Sequence, residues 1–350
     1  MSPSELTSGI RDAARVEALV PLAASLRDVG SSMAEGGVAA SDVTSFISTT
    51  NDLISSRIIE LVMPDDIVPV DFCWIVMGSE GRYEQTLHTD QDNAIVFAAD
   101  ELAADEVRAR LVPVARQVNE AMNLCGIPLC RGGIMASNPQ WCLSCAEWEE
   151  RFARWIDRSD PQALLNATIF FDFRALHGVS RLAEALRAWL AGRAQGHSRF
   201  LFQMTQNALG NRPPLGLFGG FVLATHGGVA NALDLKVNAV TPLVDAARVY
   251  SLATGVTATG TVQRLREAAA RGRIPEAQAD ACIEAFLSMQ ELRMRLQARA
   301  LAGSAQPSNV VDPRTLDESS RRAIKTAMRE AARLQKRIAR TYASLGGYGV

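Results

Sequence analysis

Two aspartates separated by one residue follow a turn rich in glycine, and these residue types suit a phosphate group and a divalent cation. Asp90 and Asp92 precede the apolar run at residues 94–97, and the turn at 78–82 follows another apolar run at 72–77. Short apolar runs of this kind are typical of buried strands. Because residues i and i+2 of a strand share a face, we expect both carboxylates to reach one metal ion. Mg²⁺ or Mn²⁺ is the expected ion, since hard cations prefer carboxylate oxygens.

The turn itself offers several groups that bind phosphate. Gly78 and Gly81 allow the backbone to approach a ligand closely. A helix that begins at this turn would direct free N–H groups toward an anion. Ser79 adds a hydroxyl donor, and the Arg82 guanidinium forms a planar fork that matches phosphate oxygens. An Asp-x-Asp pair alone is often a solvated strand end, but the turn upstream favours the phosphate-and-metal interpretation.

A family resemblance rests on three short motifs of this region. They are Gly78-Ser79-Glu80-Gly81-Arg82, Glu84-Gln85 and Thr89-Asp90-Gln91-Asp92-Asn93. Together they resemble the nucleotidyltransferase superfamily that includes DNA polymerase beta. Within it, the pattern is similar to the signal-transduction nucleotidyltransferases akin to protein-PII uridylyltransferase, whose members often carry CBS or cyclic-nucleotide-binding modules.

The resemblance implies a reaction and a set of roles. A nucleoside monophosphate would pass from a nucleoside triphosphate to an acceptor hydroxyl, which could belong to a signalling protein, and pyrophosphate would leave. Catalysis and metal binding would fall to Asp90 and Asp92. Nucleotide binding would fall to Gly78, Ser79, Gly81, Arg82 and Lys236. The residues do not specify which nucleotide is used.

One departure from the superfamily concerns a third carboxylate, which its members carry on a strand in the region of residues 126–140. No aspartate or glutamate occurs there in this sequence, and a missing general base would remove a large catalytic contribution. Glu84, Glu120 or Glu147 could substitute, or two carboxylates could suffice. The alternative is a non-catalytic nucleotide sensor, and a partner-binding scaffold with a vestigial core is a third hypothesis.

Five further polar residues are weaker ligand candidates or have a structural alternative. Arg131 and Asn138 could contact phosphates or the nucleoside. The resemblance makes Asp172 and Arg174 a polar pair of the helical substrate-binding domain, and the alternative is an internal ion pair that orients a helix. Lys236 would suit a triphosphate as a point charge, or would be a surface lysine.

The expected fold class is α+β, with a polymerase-beta-like nucleotidyltransferase core of mixed sheet and helices. We expect an N-terminal helical segment at residues 1–64, the core at 65–150 and a helical substrate-binding domain at 151–350. Hydrophobic periodicity predicts a helix from Asp100 to Asn123 and a last helix from Asp317 to Leu345. The last helix is rich in arginine but lacks interleaved aromatic residues, so a nucleic-acid partner is disfavoured.

Composition places the chain among ordinary globular proteins. Its 350 residues are 48% hydrophobic and carry a formal net charge of −2, which gives no global attraction to nucleic acid or membrane. No signal peptide or apolar run of membrane-spanning length is visible, so we expect a cytoplasmic protein without a membrane partner. The six cysteines are expected to be thiols. A zinc site formed by Cys125, Cys130, Cys142 and Cys145 is the less favoured alternative.

Overall fold

The computed structural model describes residues 1–64, 66–99, 101–216 and 218–342, and it confirms the α+β class. These residues divide into two compact units. The first comprises Met1–Val38, Asp42–Trp155 and Asn166–Leu190, and the second comprises Ala39–Ser41, Ile156–Leu165 and the described residues from 191 onward. The three-part division of the sequence stays a prediction, and residue 65, its predicted core boundary, lies outside the described residues.

Helices account for most of the chain. In order they are α1 Pro3–Asp12, α2 Val16–Glu35, α3 Ala40–Val62, α4 Gly78–Gly81, α5 Glu101–Leu124, α6 Cys145–Arg158, α7 Pro161–Phe170, α8 Ser180–Ala194, α9 Ser198–Gly210, α10 Thr241–Thr254, α11 Thr261–Ala270, α12 Glu276–Ala302 and α13 Glu318–Tyr342. The predicted helix at 100–123 corresponds to α5, and Asp100 lies outside the described residues. The predicted last helix corresponds to α13, and its predicted end at 343–345 also lies outside them.

The first unit is built on a four-stranded mixed sheet. Its strands are β1 Phe72–Val76, β2 Asn93–Phe97, β3 Cys142–Ser144 and β4 Arg174–Gly178, in the spatial order β3-β2-β1-β4. Strand β1 is antiparallel to both β2 and β4, whereas β2 and β3 are parallel. Val76 pairs with Asn93 at the end of the β1–β2 ladder. The turn after β1 and the residues before β2 therefore lie at the same end of these two strands.

Both central strands are buried, as their continuous apolar runs predict. Every residue of β2 is buried, and so is β1 apart from Phe72. Trp74 and Ile95 share one hydrophobic core with Leu19 of α2, Ile54 of α3 and Leu111 of α5. The N-terminal helices and α5 therefore cover the sheet, which fixes the strand ends that carry the candidate motifs.

An aromatic cluster attaches α6 to the sheet. It consists of Trp141, Trp148, Phe152, Trp155, Phe170, Phe171 and Phe173. Phe152 lies with its ring centroid 5.2 to 5.9 Å from those of four neighbours. The Trp148 indole N–H donates to the backbone carbonyl of Ile95 at 2.9 Å, which joins α6 to β2.

The second unit packs helices around α10 and adds a small antiparallel sheet. Nearly every residue of α10 is buried, and α9, α11 and α13 all contact it. The strands are β5 Ala224–His226, β6 Val229–Asp234 and β7 Val310–Val311. The buried side chain of Gln335 donates to the carbonyls of Ala208 and Asn211 at 2.8 Å, which ties α13 to the end of α9.

Within the described ranges, no helix combines the length and the apolar character that crossing a membrane requires.

Replacing Phe152 by alanine should lower the free energy of unfolding by about 3–5 kcal/mol, because the fully buried ring would leave a cavity among four aromatic neighbours. Urea unfolding followed by tryptophan fluorescence measures the change. Leu124→Ala is the matched control, because Leu124 is 66% exposed and its truncation should cost less than about 0.5 kcal/mol. Equal losses in the two variants would contradict the packing described here.

Candidate functional site

The turn after β1 uses glycine at two positions for two different reasons. Gly78 has a φ of +58°, and a Cβ placed there would lie 3.0 Å from the Asp92 Oδ2 atom. Gly81 has no room for a side chain, since its Cβ would stand 1.8 Å from the Asp172 carbonyl oxygen. The close approach at Gly81 is therefore to the protein's own backbone, while Gly78 brings the turn against an aspartate.

Asp90 and Asp92 lie just before β2 rather than on it, because the strand begins at Asn93. The Met77 N–H donates to the Asp92 carbonyl at 2.9 Å, which continues the β1 pairing by one step. Asp90 is exposed and Asp92 is half-buried, whereas Gln91 between them is 1% exposed. Alternate residues thus face opposite sides, although the segment is not a regular strand.

Three buried amides hold the aspartate segment against the stretch at 127–137. The Gln91 side chain donates to the carbonyls of Asn119 and Ile127 at 2.9 and 2.8 Å. The Asn119 side chain donates to Gln91 Oε1 and Asn93 Oδ1 at 2.8 and 3.0 Å. The Ala136 N–H in turn donates to Asn93 Oδ1 at 2.8 Å. We call Gln91, Asn93 and Asn119 the amide cluster.

The amide cluster brings Cys130 to the two aspartates. One donor atom from each of Asp90, Asp92 and Cys130 lies within 4.8 Å of the other two, and no other comparable group of three occurs among the described residues. Burial is the largest cause that raises the pKa of the Cys130 thiol; the Asp92 carboxylate raises it further, and backbone hydrogen bonds at Ile134 and Gly132 lower it. Two carboxylates and a thiol are chemically able to hold a divalent cation.

Sequence reasoning missed Cys130 as a partner of the aspartates. It placed that residue in a possible zinc site with Cys125, Cys142 and Cys145, of which Cys125 and Cys142 are buried. The available signal was its position, because Cys130 lies in the region where the superfamily has its third carboxylate.

The arginines of the motif region form ion pairs. Arg82 contacts Glu84 at 2.6 Å and Asp172 at 2.8 Å. Arg174 contacts Asp52 of α3 at 2.7 Å and donates to the Glu80 carbonyl. Asp172 and Arg174 therefore each pair with a residue distant in sequence rather than with each other.

Four candidate residues remain, namely Asn138, Ser79, Arg131 and Lys236. The Asn138 amide closes a turn, donating to the Gly133 carbonyl and accepting from the Gln140 N–H, both at 3.0 Å. Ser79 is half-buried and lies in the turn next to Gly78, and Arg131 is exposed. Lys236 is exposed and belongs to the second unit.

Of the three proposed substitutes for the missing carboxylate, two are engaged elsewhere. Glu84 pairs with Arg82, as described above. Glu147 pairs with Arg108 and accepts from the Ser144 N–H at 2.7 Å, which caps α6. Glu120 is exposed on α5.

Glu80 is a buried carboxyl group that sequence reasoning did not single out. Its side chain is 5% exposed within the turn. Burial is the largest cause that raises the pKa of Glu80 to about 8; Asp52, Asp92 and Asp90 raise it further, and Arg174 lowers it. In the absence of a cation, the turn therefore carries a proton on Glu80 near neutral pH.

Gly81→Ala should lower the free energy of unfolding by about 2–3 kcal/mol, because the new methyl group would collide with the Asp172 backbone. Gly192→Ala, at a helical site with open space, should instead raise stability by roughly 0.5–1 kcal/mol. Chemical unfolding of both variants measures the difference. A harmless Gly81→Ala variant would contradict the close contact at the turn.

Glu80→Gln should stabilise the protein increasingly as pH rises from about 5 to about 8 in EDTA. The folded chain retains a proton on Glu80 that the unfolded chain releases near pH 4.3, so wild-type stability falls across this window. The difference between variant and wild type should grow by up to about 1 kcal/mol per pH unit. Urea unfolding at several pH values measures it, and exposed Glu106→Gln should show no such trend. Parallel curves for Glu80→Gln and wild type would contradict a buried proton.

Two family models match this chain. Residues 24–162 match the family described as "Putative nucleotidyltransferase DUF294", and residues 198–342 match the one described as "Putative nucleotidyltransferase substrate binding domain". The first match contains the turn, both aspartates and Cys130, and the second contains Lys236. No curated protein matches the chain. Because the two matches span most of the sequence and agree with its motifs, the chain belongs to the DUF294 nucleotidyltransferase family.

Proposed function

We propose that this protein is a metal-dependent nucleotidyltransferase. It transfers a nucleoside monophosphate from a nucleoside triphosphate to an acceptor hydroxyl and releases pyrophosphate. Family membership supports nucleotidyl transfer. The observation that carries metal dependence is the convergence of Asp90 and Asp92 directly beside the glycine turn.

The aspartates would bind the metal ion, and the turn would bind the phosphates. Asp90 and Asp92 would hold Mg²⁺ or Mn²⁺, which when bound supplies positive charge that stabilises the phosphate oxygens and the leaving pyrophosphate. Gly78 and Ser79 would line the phosphates, with Ser79 donating from its hydroxyl, and Gly81 would hold the turn against the Asp172 backbone. The acceptor hydroxyl would then attack the α-phosphorus in line with the departing oxygen.

Arg82 would contribute as a positioned cation. Its ion pairs with Glu84 and Asp172 orient the guanidinium, so a nucleotide phosphate would share Arg82 with two carboxylates. Because these carboxylates already neutralise much of its charge, Arg82 would bind a phosphate less strongly than an unpaired arginine. We therefore expect Arg82 to contribute at least as much free energy to the stability of the turn as to phosphate binding.

In the second unit, the nucleotide-binding role of Lys236 stays a proposal for that unit alone. Lys236 begins a π-helical turn, Lys236–Val240, and irregular turns of this type occur frequently at functional sites. The residue is exposed, as a contact for a nucleotide requires. The match of this region to a substrate-binding domain supports the assignment.

The narrower assignments follow from the resemblance to protein-PII uridylyltransferase. We propose that the acceptor is a protein hydroxyl, such as that of a tyrosine on a signalling protein, and that the reaction takes place in the cytoplasm. The residues of the site do not distinguish UTP from ATP, so all four ribonucleotides belong in the assay.

A nucleotide sensor without transferase activity is the second candidate. The observation in its favour is that the stretch at 126–140 carries no carboxylate, while Glu84 and Glu147 are held in ion pairs. A sensor would bind the triphosphate and the cation at the same turn and would leave the nucleotide intact.

Transfer of label from α-labelled nucleotides to cell-extract proteins in Mg²⁺ tests the proposal. Wild type should label an acceptor with at least one of the four nucleotides. Asp92→Asn should lower transfer at least about 100-fold, because a catalytic metal ion contributes several kcal/mol. Asp28→Asn, at an exposed position of α2, is the matched control and should label normally.

Each outcome separates the candidates. Full activity of Asp92→Asn would contradict the metal assignment. Mg²⁺-dependent nucleotide binding without any transfer would favour the sensor, and absence of nucleotide binding would contradict both.

A further inference from the structure

The third donor beside the aspartate pair is a sulfur atom. Cys130 supplies it, from a stretch that has no aspartate or glutamate between residues 126 and 140. The side chain is half-buried, and it interacts with the Asp92 carboxylate. The Cys130 thiol is therefore the nearest further donor for a cation that binds both aspartates.

The spacing of the three donor atoms suits direct coordination. Metal–sulfur bonds of about 2.3 Å and metal–oxygen bonds of about 2.1 Å put tetrahedral ligand atoms roughly 3.6 Å apart. The donor atoms of Asp90, Asp92 and Cys130 already lie within 4.8 Å of one another. Shifts of about 1 Å, which side-chain rotation can supply, bring them to coordinating distances.

The backbone around Cys130 is tied to the backbone around the aspartates. The Gln91 N–H donates to the Pro128 carbonyl at 2.9 Å, and the Asn93 N–H donates to the Ile134 carbonyl at 3.2 Å. The amide cluster reinforces both ends of this loop. Within it, the Gly133 N–H donates to the Cys130 carbonyl at 3.0 Å, which closes a turn around the thiol. These bonds make the proximity of Cys130 to Asp92 a property of the fold.

We propose that Cys130 is the third protein ligand of this site, and that the site binds thiophilic divalent cations such as Zn²⁺ and Co²⁺ more tightly than Mg²⁺. The inference rests on the proposed function only for the metal role of the aspartate pair. When such a cation binds, the thiol releases its proton to solvent and the sulfur forms a metal–thiolate bond without change of oxidation state. Mg²⁺ at the same place uses the two carboxylates and leaves Cys130 as a thiol.

Cobalt(II) provides a direct spectroscopic test on the full chain, because a cobalt–thiolate bond produces a near-ultraviolet charge-transfer band. Wild type titrated with Co²⁺ should develop this band, and Cys130→Ser should not. Cys145→Ser is the matched control, since Cys145 is also half-buried but lies outside the three-residue group. Calorimetry should show Co²⁺ affinity at least about tenfold weaker in Cys130→Ser, because losing even an outer-shell partner of a metal ligand typically costs roughly 10–100-fold in affinity. Circular dichroism confirms that the variants fold.

Cys130→Asp supplies an independent arm, because it replaces sulfur by a carboxylate. This variant should bind Mg²⁺ more tightly than wild type and should lose the charge-transfer band. Cobalt binding without the band, or a band that persists in Cys130→Ser, would overturn the sulfur ligand while leaving nucleotidyl transfer at Asp90 and Asp92 untouched. Failure of wild type to bind any divalent cation would overturn the sulfur ligand and the proposed metal site together.

Discussion

Three buried amide side chains determine where the groups of the candidate site lie. Gln91, Asn93 and Asn119 exchange hydrogen bonds with one another and with the backbone at 127–137. A buried polar group that loses its partner costs about 1–3 kcal/mol. Moving the loop would leave several such groups unpaired at once, so the aspartates and Cys130 keep a fixed relation without any bound cation.

The turn that carries the phosphate-binding candidates is held by charge as well as by packing. Arg82 reaches Asp172 and Arg174 reaches Asp52, and all four side chains are largely buried. Taking charges out of water is costly, so such pairs specify geometry more reliably than they add stability. Together with the contact at Gly81, they fix the orientation of the turn relative to α3 and to the residues before β4. Glu80 is buried as a consequence, and this burial raises the pKa of its carboxyl group.

The sequence predicted the features that depend on residues close together in the chain. The two apolar runs became β1 and β2, the helix near residues 100–123 became α5, and the glycines of the turn are required by backbone geometry. The face-sharing of Asp90 and Asp92 was also predictable, although the segment lies before the strand. The family followed from the motifs, because their residue types and spacing were sufficient to identify it.

Partners distant in sequence were not predictable, because spacing carries no information about them. Asp172 meets Arg82 across 90 positions, and Arg174 meets Asp52 across 122. The sequence does not distinguish Cys130 from the other thiols, and only the amide cluster places it beside the aspartates. Glu80 gave no sign of its burial, since glutamate in a short turn is usually exposed.

Anomalous scattering from crystals grown with Mn²⁺ and a non-hydrolysable nucleoside triphosphate would locate the metal ion and the nucleotide together. We expect one manganese peak within about 2.2 Å of carboxylate oxygens from both Asp90 and Asp92, with the triphosphate against residues 78–82. A manganese ion that contacts neither aspartate or only one of them, or a triphosphate bound away from this turn, would contradict the proposed site.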